Sequence, residues 1–195
     1  MLGNIITFFR LVFAIAFAVA VAFFYKEQPL SGISCIILIV IGVAEEMTDI
    51  FDGVVARRMK TVSQFGEIFD PLIDSLARLT IYFSLALAGW ISFVPPFVMM
   101  VRDILVSYTR VIKAIVGGEM AARASGKWKA IIQGTAIPFF ALFVWLKSYI
   151  EAGLANNLTL SFELVVIGAT IWSLVDYVQG TAPMIRKLLE NKSAQ

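Results

Sequence analysis

Apolar residues run in six stretches long enough to cross a bilayer, which takes about 20 mostly apolar residues per helix. They lie near 5–25, 33–55, 67–90, 94–116, 129–150 and 160–180. Each predicts an α-helix, because a lone strand cannot satisfy its backbone in hydrocarbon. The second and third are interrupted by aspartates, Asp49 and Asp52 near the end of one, Asp70 and Asp74 near the start of the next. A helix brings residues three or four apart onto one face. Asp49 and Asp52 therefore share a face, and Gly66, Asp70 and Asp74 share another. A short connection makes these two helices antiparallel, so the two acidic faces can meet.

The composition agrees with a membrane origin. The chain has 195 residues, of which 59% are hydrophobic and only 15% charged. Soluble domains carry about 25% charged residues. The expectation is an all-α integral membrane protein with six transmembrane helices, forming a single domain over residues 1–195. The first helix is read as an uncleaved span rather than a signal peptide, because its apolar run is too long and its basic leader too thin. No histidine occurs, which excludes histidine metal sites and imidazole bases. Cys35 is the only cysteine, so no intrachain disulfide can form, and it is read as a small buried residue.

The charge distribution sets an orientation. Arg57, Arg58 and Lys60 follow the second stretch, Arg123, Lys127 and Lys129 follow the fourth, and Arg186, Lys187 and Lys192 follow the sixth. The other connections hold only Lys26 and Lys147. By the positive-inside rule both termini and the basic loops face the cytoplasm. The aspartates bracket the first of these loops, so the candidate site also faces the cytoplasm.

Four carboxylates at membrane depth need compensation, since each costs several kcal/mol unpaired. Divalent cations suit them, because hard cations take oxygen ligands. Two such ions held by converging carboxylates can grip a diphosphate and support an in-line displacement. The small residues Gly53, Ala56 and Gly66 allow close helix packing and leave room for a ligand. Arg57 offers a planar fork for phosphate oxygens. The spacing reads Asp49-x2-Asp52-Gly53-x2-Ala56-Arg57-x8-Gly66-x3-Asp70-x3-Asp74.

This spacing resembles the complete signature of the CDP-alcohol phosphotransferases, six-helix membrane enzymes. They move a phosphoalcohol or phosphatidyl group from a CDP-linked donor to a hydroxyl and release CMP. The resemblance implies that Asp49, Asp52 and Asp70 bind Mg²⁺ or Mn²⁺, two ions per site, with Asp74 close to them. It implies that Asp74 is the catalytic base. It implies that Gly53, Arg57, Gly66 and Ser63 contact the CDP part of the donor. A homodimer, no nucleic-acid partner and a place in a bacterial inner membrane are further expectations.

Other parts of the chain resemble phosphatidylglycerophosphate synthases. Asn4-x2-Thr7-x2-Arg10 is similar to the opening of their first helix. Arg102-Asp103 with Arg110, Gly126-Lys127-x-Lys129 with Gln133, and Trp172-Ser173 with Tyr177 are similar to segments of helices four to six. That implies CDP-diacylglycerol as donor and glycerol 3-phosphate as acceptor, with Arg110, Lys127 and Arg123 holding the acceptor phosphate. Ser75 departs from the pattern, since Lys usually follows the fourth aspartate there; the nearest cation on the Asp74 face is Arg78. Lys129 is read equally as an interfacial anchor. Asp103, adjacent to Arg102, does not share its helix face, so no pairing of the two is expected. Glu45 and Glu46 are extra acids, read as an acidic pair near a cytoplasmic pore mouth or as partners of Arg78 or Arg102. Inositol phosphate or serine remains open as acceptor. A divalent-cation transporter is the rival from another class, although Arg57 beside a cation path would repel the ion. A membrane prenyltransferase would need more helices.

Overall fold

The computed structural model describes residues 2–27, 29–59, 64–115 and 124–192, with side chains for 8–27, 29–48, 70–111 and 124–183. Ser63 and Arg123 therefore lie outside the described residues. Among those described there are six helices and no strand: α1 (Leu2–Phe24), α2 (Gly32–Met59), α3 (Gln64–Leu87), α4 (Val94–Ile115), α5 (Ala124–Leu146) and α6 (Ala152–Lys192). Two apolar segments, Ala124–Leu146 and Ala152–Pro183, are long enough to cross a membrane, and Phe8–Phe24 is a shorter apolar helix.

Helix α1 packs along both α2 and α3, α5 lies between α2 and α6, and α4 leans on α6. Each helix carries one buried stripe at helical spacing. In α1 the stripe is Arg10, Ala14, Phe17 and Val21. In α5 it is Ser125, Lys129, Gln133, Ala136, Ile137 and Phe140. Tyr82 of α3 ties the middle of the bundle. Its ring meets Phe140 edge-on at 6.0 Å, and its hydroxyl donates to the Gln133 carbonyl at 2.8 Å. Gln133 in turn donates to Thr170 of α6 at 2.8 Å. Gly42 lets α2 approach α5, for a Cβ there would stand 2.9 Å from Ile137 Cγ2.

Helix α6 buries several polar residues and exposes many apolar ones. Thr159, Glu163, Thr170, Ser173, Tyr177 and Thr181 are buried, whereas Leu160, Leu164, Val165, Ile171 and Val175 are exposed. A helix that turns its apolar side outward suits a lipid surrounding rather than water.

Helices α5 and α6 differ most from the sequence reading, and α6 runs on to Lys192 rather than ending near 180. Helix α5 starts at Ala124, not near 129, because its first turn packs on α6: Ser125 bonds Asp176, and Gly126 lies against Tyr177. Helix α6 starts at Ala152, not near 160, and has 41 residues. Its polar opening does not break the helix, because hydroxyls bond back to the preceding turn, Thr159 to the Ala155 carbonyl at 3.0 Å and Ser161 to that of Asn157 at 2.7 Å. At 1.5 Å per residue α6 spans roughly 60 Å, about twice a hydrocarbon core.

At the other end of the bundle, Gly89 closes α3. Its φ of 72° is open to glycine at little cost, and it permits bonds from Gly89 N to Ala86 O and from Trp90 N to Leu85 O, both 3.0 Å. Glu163 then fixes the following loop through the Ser92 backbone N–H at 2.8 Å and the Ser92 hydroxyl.

Candidate functional site: a cationic cavity beside Asp74

Helix α3 presents Asp70, Asp74 and Arg78 at successive turns of one strip. Asp70 is exposed and Asp74 half-buried. From Asp74 a cavity of about 200 Å³ opens between α3, α4, α5 and α6. Arg78, Arg102, Arg110, Lys127 and Lys129 line it, with Asp74 and Asp103 as the only carboxylates in the lining among the described residues.

Each cation arrives by the register of its own helix. On α4, Arg102 and Arg110 stand two turns apart. On α5, Lys129 lies on the buried stripe with Gln133 and Ile137, and is itself buried, whereas Lys127 is off the stripe and exposed. Asp103 accepts from Arg102 Nη1 at 2.8 Å and from Lys129 Nζ at 2.9 Å through the same oxygen. The expectation that adjacent Arg102 and Asp103 stay apart is thus corrected. Neighbours diverge at Cβ, but the long arginine stem curls back, and Lys129 draws the carboxylate to the same side. Arg102 Nη2 donates to Ser173 at 2.7 Å. Its Nε, in a side chain only 8% exposed, has no hydrogen-bond partner among the described residues.

Tyr177 of α6 stands under two of these arginines. The Arg102 Cζ lies 5.2 Å from its ring centroid and the Arg110 Cζ 5.8 Å. Arg110 Nη2 also reaches its hydroxyl at 3.3 Å.

A second group of charges joins α1, α2 and α3. Arg10, 3% exposed, forms an ion pair with Asp74. Arg78 pairs with Glu46 at 3.4 Å, one of the partners expected for it. Glu45 is buried beside them. The Glu46 carboxyl lies where a Cβ on Gly134 would stand, so this glycine admits it.

Of the residues expected to act, Asp74, Arg110 and Lys127 meet at the cavity. Asp49, Asp52, Gly53 and Arg57 belong to the last turns of α2 and Gly66 to the first of α3, with side chains outside those described. Sequence reasoning had not made site residues of Arg10, Arg78, Arg102, Lys129 or Tyr177. The readable signal was periodicity, since Arg10 falls in register with an otherwise apolar buried stripe and Lys129 with the buried stripe that continues through Gln133, Ile137 and Phe140.

The cavity can accept an anion with several oxygens, close to a carboxylate able to take a proton. Among the described residues no group of three or more His, Cys, Asp or Glu side chains gathers at Asp74, which stands beside Arg10, and the side chains of the expected ligands Asp49 and Asp52 lie outside those described.

Comparison with known proteins agrees. The CDP-alcohol phosphatidyltransferase family matches residues 1–172. A CDP-diacylglycerol–glycerol-3-phosphate 3-phosphatidyltransferase of Mycoplasma genitalium is 32% identical over 138 residues, covering 67% of this chain and 58% of the relative. The enzyme of the same name from Haemophilus influenzae is 29% identical over 179 residues, covering 89% of each. One from Arabidopsis thaliana, numbered 2 in its name, is 30% identical over 151 residues, covering 70% of this chain and 63% of its own length. The match with the first and third thus spans less than two thirds of those relatives. With the family matched over 1–172 and a cationic cavity built onto the last aspartate of its signature, this chain belongs to the CDP-alcohol phosphatidyltransferase family of enzymes.

Proposed function

We propose that this enzyme transfers a phosphatidyl group from CDP-diacylglycerol to glycerol 3-phosphate, releasing CMP and forming phosphatidylglycerophosphate. The observation that carries the acceptor is the cavity, in which, among the described residues, five cationic side chains face two carboxylates, Asp74 and Asp103. A dianionic phosphate supplies the missing negative charge, and the buried Arg102 Nε offers it a donor. The names of the relatives support the same pair of substrates.

Asp49, Asp52, Asp70 and Asp74 would hold Mg²⁺ or Mn²⁺, two ions per site. Bound there, the ions supply charge neutralisation at the diphosphate and a better CMP leaving group. Gly53, Arg57, Ser63 and Gly66 would contact the CDP part of the donor. An apolar groove of about 610 Å³ between α2 and α5, lined by Val43, Met47, Ile131 and Pro138, suits a donor acyl chain, with Lys127 at its polar end.

Arg110, Lys127 and Arg123 bind the acceptor phosphate, joined by Arg102, Arg78 and Lys129. This leaves the acceptor's free hydroxyl toward Asp74. As the hydroxyl oxygen bonds to the donor's β-phosphorus, the one that carries diacylglycerol, its proton passes to Asp74 and the bond from that phosphorus to the bridging oxygen breaks, the electron pair leaving with CMP. Arg10 holds the Asp74 carboxylate in place through its ion pair. The helices form a six-span bundle with both termini and the cavity on the cytoplasmic side, in a bacterial inner membrane, and the enzyme is a homodimer. The buried polar residues and exposed apolar ones of α6 support a lipid surrounding.

The test is CMP release by purified protein with CDP-diacylglycerol and Mg²⁺, each acceptor offered separately. Release that requires glycerol 3-phosphate is the expected result. Release with inositol phosphate or serine instead would discard the acceptor, and metal flux in liposomes without CMP release would discard the chemistry.

A further inference from the structure

Two guanidinium groups in this cavity share one aromatic ring. Arg102 and Arg110 both lie over Tyr177, at 5.2 and 5.8 Å from its centroid, and Arg110 also bonds its hydroxyl at 3.3 Å. Two cations, each within 6 Å of one ring centroid, repel each other, and the protein needs groups to hold them there. Arg102 has Asp103 and Ser173. For Arg110 the contacts found are the face and hydroxyl of Tyr177. The ring is 5% exposed and fixed in place: a Cβ on Gly126 would come within 3.5 Å of it, so α5 closes over one side. Its α6 neighbour Asp176 bonds Ser125, locking the same two helices one residue away.

We infer that Tyr177 is a positioning residue for the acceptor. It sets Arg102 and Arg110 side by side so that both guanidinium planes address one phosphate. The ring face attracts each cation, and the phosphate then bridges the pair by charge-assisted hydrogen bonds. Tyr177 lines the cavity given to the acceptor and not the groove given to the donor chain, so its removal weakens acceptor binding and spares donor binding. This inference rests on the acceptor reading given above and adds to it the residue that arranges the phosphate pocket.

Two variants separate the ring from the hydroxyl. Tyr177→Phe keeps the aromatic face and loses one long hydrogen bond, so KM for glycerol 3-phosphate rises less than about threefold. Tyr177→Leu loses the face for both arginines, and KM rises roughly tenfold or more, the scale of two cation–π contacts. The inhibition constant of inorganic phosphate, competing with the acceptor, rises by the same factor. KM for CDP-diacylglycerol stays within twofold of wild type in both variants, which also reports that they are folded. Equal acceptor KM values in the Phe and Leu variants would overturn the inference, as would a parallel rise in donor KM. If wild-type enzyme releases CMP only with an acceptor that lacks a phosphate, the acceptor reading fails first and this inference with it. If wild type uses glycerol 3-phosphate but Tyr177→Leu keeps its KM, the inference alone fails.

Discussion

The two arginines of α4 separate fold from function, and truncating each in turn makes the difference measurable. Arg102 is 7% exposed and makes two short bonds, to Asp103 at 2.8 Å and to Ser173 at 2.7 Å. Hydrogen bonds with a charged partner contribute about 1.5–3 kcal/mol each. Arg102→Ala also leaves Asp103 with Lys129 as its one remaining cation, so the expected loss of stability is about 3 kcal/mol or more. Arg110 is half-buried, and its bond to Tyr177 is long, at 3.3 Å. With one cation–π contact besides, Arg110→Ala should cost about 1 kcal/mol. For a chain of this size, 1 kcal/mol corresponds to roughly 2–4 °C in Tm. Arg102→Ala should therefore unfold roughly 4–8 °C below Arg110→Ala in the same detergent.

Activity should not follow that order. Each arginine gives the acceptor phosphate a charge-assisted contact, so each truncation raises KM for glycerol 3-phosphate by about 10- to 100-fold, at 1.36 kcal/mol per decade. Arg110→Ala is thus the cleaner variant, with near-native Tm, unchanged KM for CDP-diacylglycerol and a large acceptor defect. The assay is CMP release at saturating donor and varied acceptor, paired with a thermal melt. Equal Tm values for the two variants would refute the stability argument. An unchanged acceptor KM in Arg110→Ala would refute the placing of the phosphate.

Three further outcomes are expected. Asp74→Asn should lower kcat by about 10²–10⁴-fold, the usual weight of a general base, while CDP-diacylglycerol still binds; near-normal turnover would remove the base role from Asp74. Asp49→Asn or Asp70→Asn should raise the Mg²⁺ concentration needed for half-maximal CMP release by about tenfold or more, since each deletes a charged oxygen ligand; an unchanged Mg²⁺ dependence in both would remove them from the metal site. Gly42→Ala would force its new methyl against Ile137 Cγ2, 2.9 Å from the ideal Cβ, with the Phe17 ring in ordinary contact on another side. Overpacking of this kind costs about 1–3 kcal/mol, so Tm should fall with acceptor KM unchanged, and a Tm equal to wild type would mean that α2 and α5 are not so closely packed.

What could be read from the sequence follows from how each residue type reports its surroundings. Helices are written in apolar runs, so all six were legible, as was the aspartate spacing, because carboxylates in such runs are costly. Residues with two plausible surroundings were harder. A lysine at the end of an apolar run reads as an interfacial anchor, and that reading suits Lys127, which is exposed. Lys129 looks the same in composition but falls in register with Gln133, Ile137 and Phe140, and the helix turns it inward to Asp103. Extending the α5 period back by two turns separates the two lysines without any structure. Arg10 follows the same rule, in register with Ala14, Phe17 and Val21, and it ends on Asp74. Tyr177 does not. An aromatic on a buried stripe is ordinary core, and only tertiary contact shows that its neighbours are two arginines from another helix. The pairing of Arg102 with Asp103 was illegible for a related reason. Helical geometry forbids neighbours a shared face at Cβ, but an arginine head reaches several ångströms from its own Cβ, and the position of that head is decided by Ser173, Lys129 and Tyr177, which come from two other helices. Periodicity thus identifies which charges turn inward, and only the packing of α4, α5 and α6 identifies which of them meet.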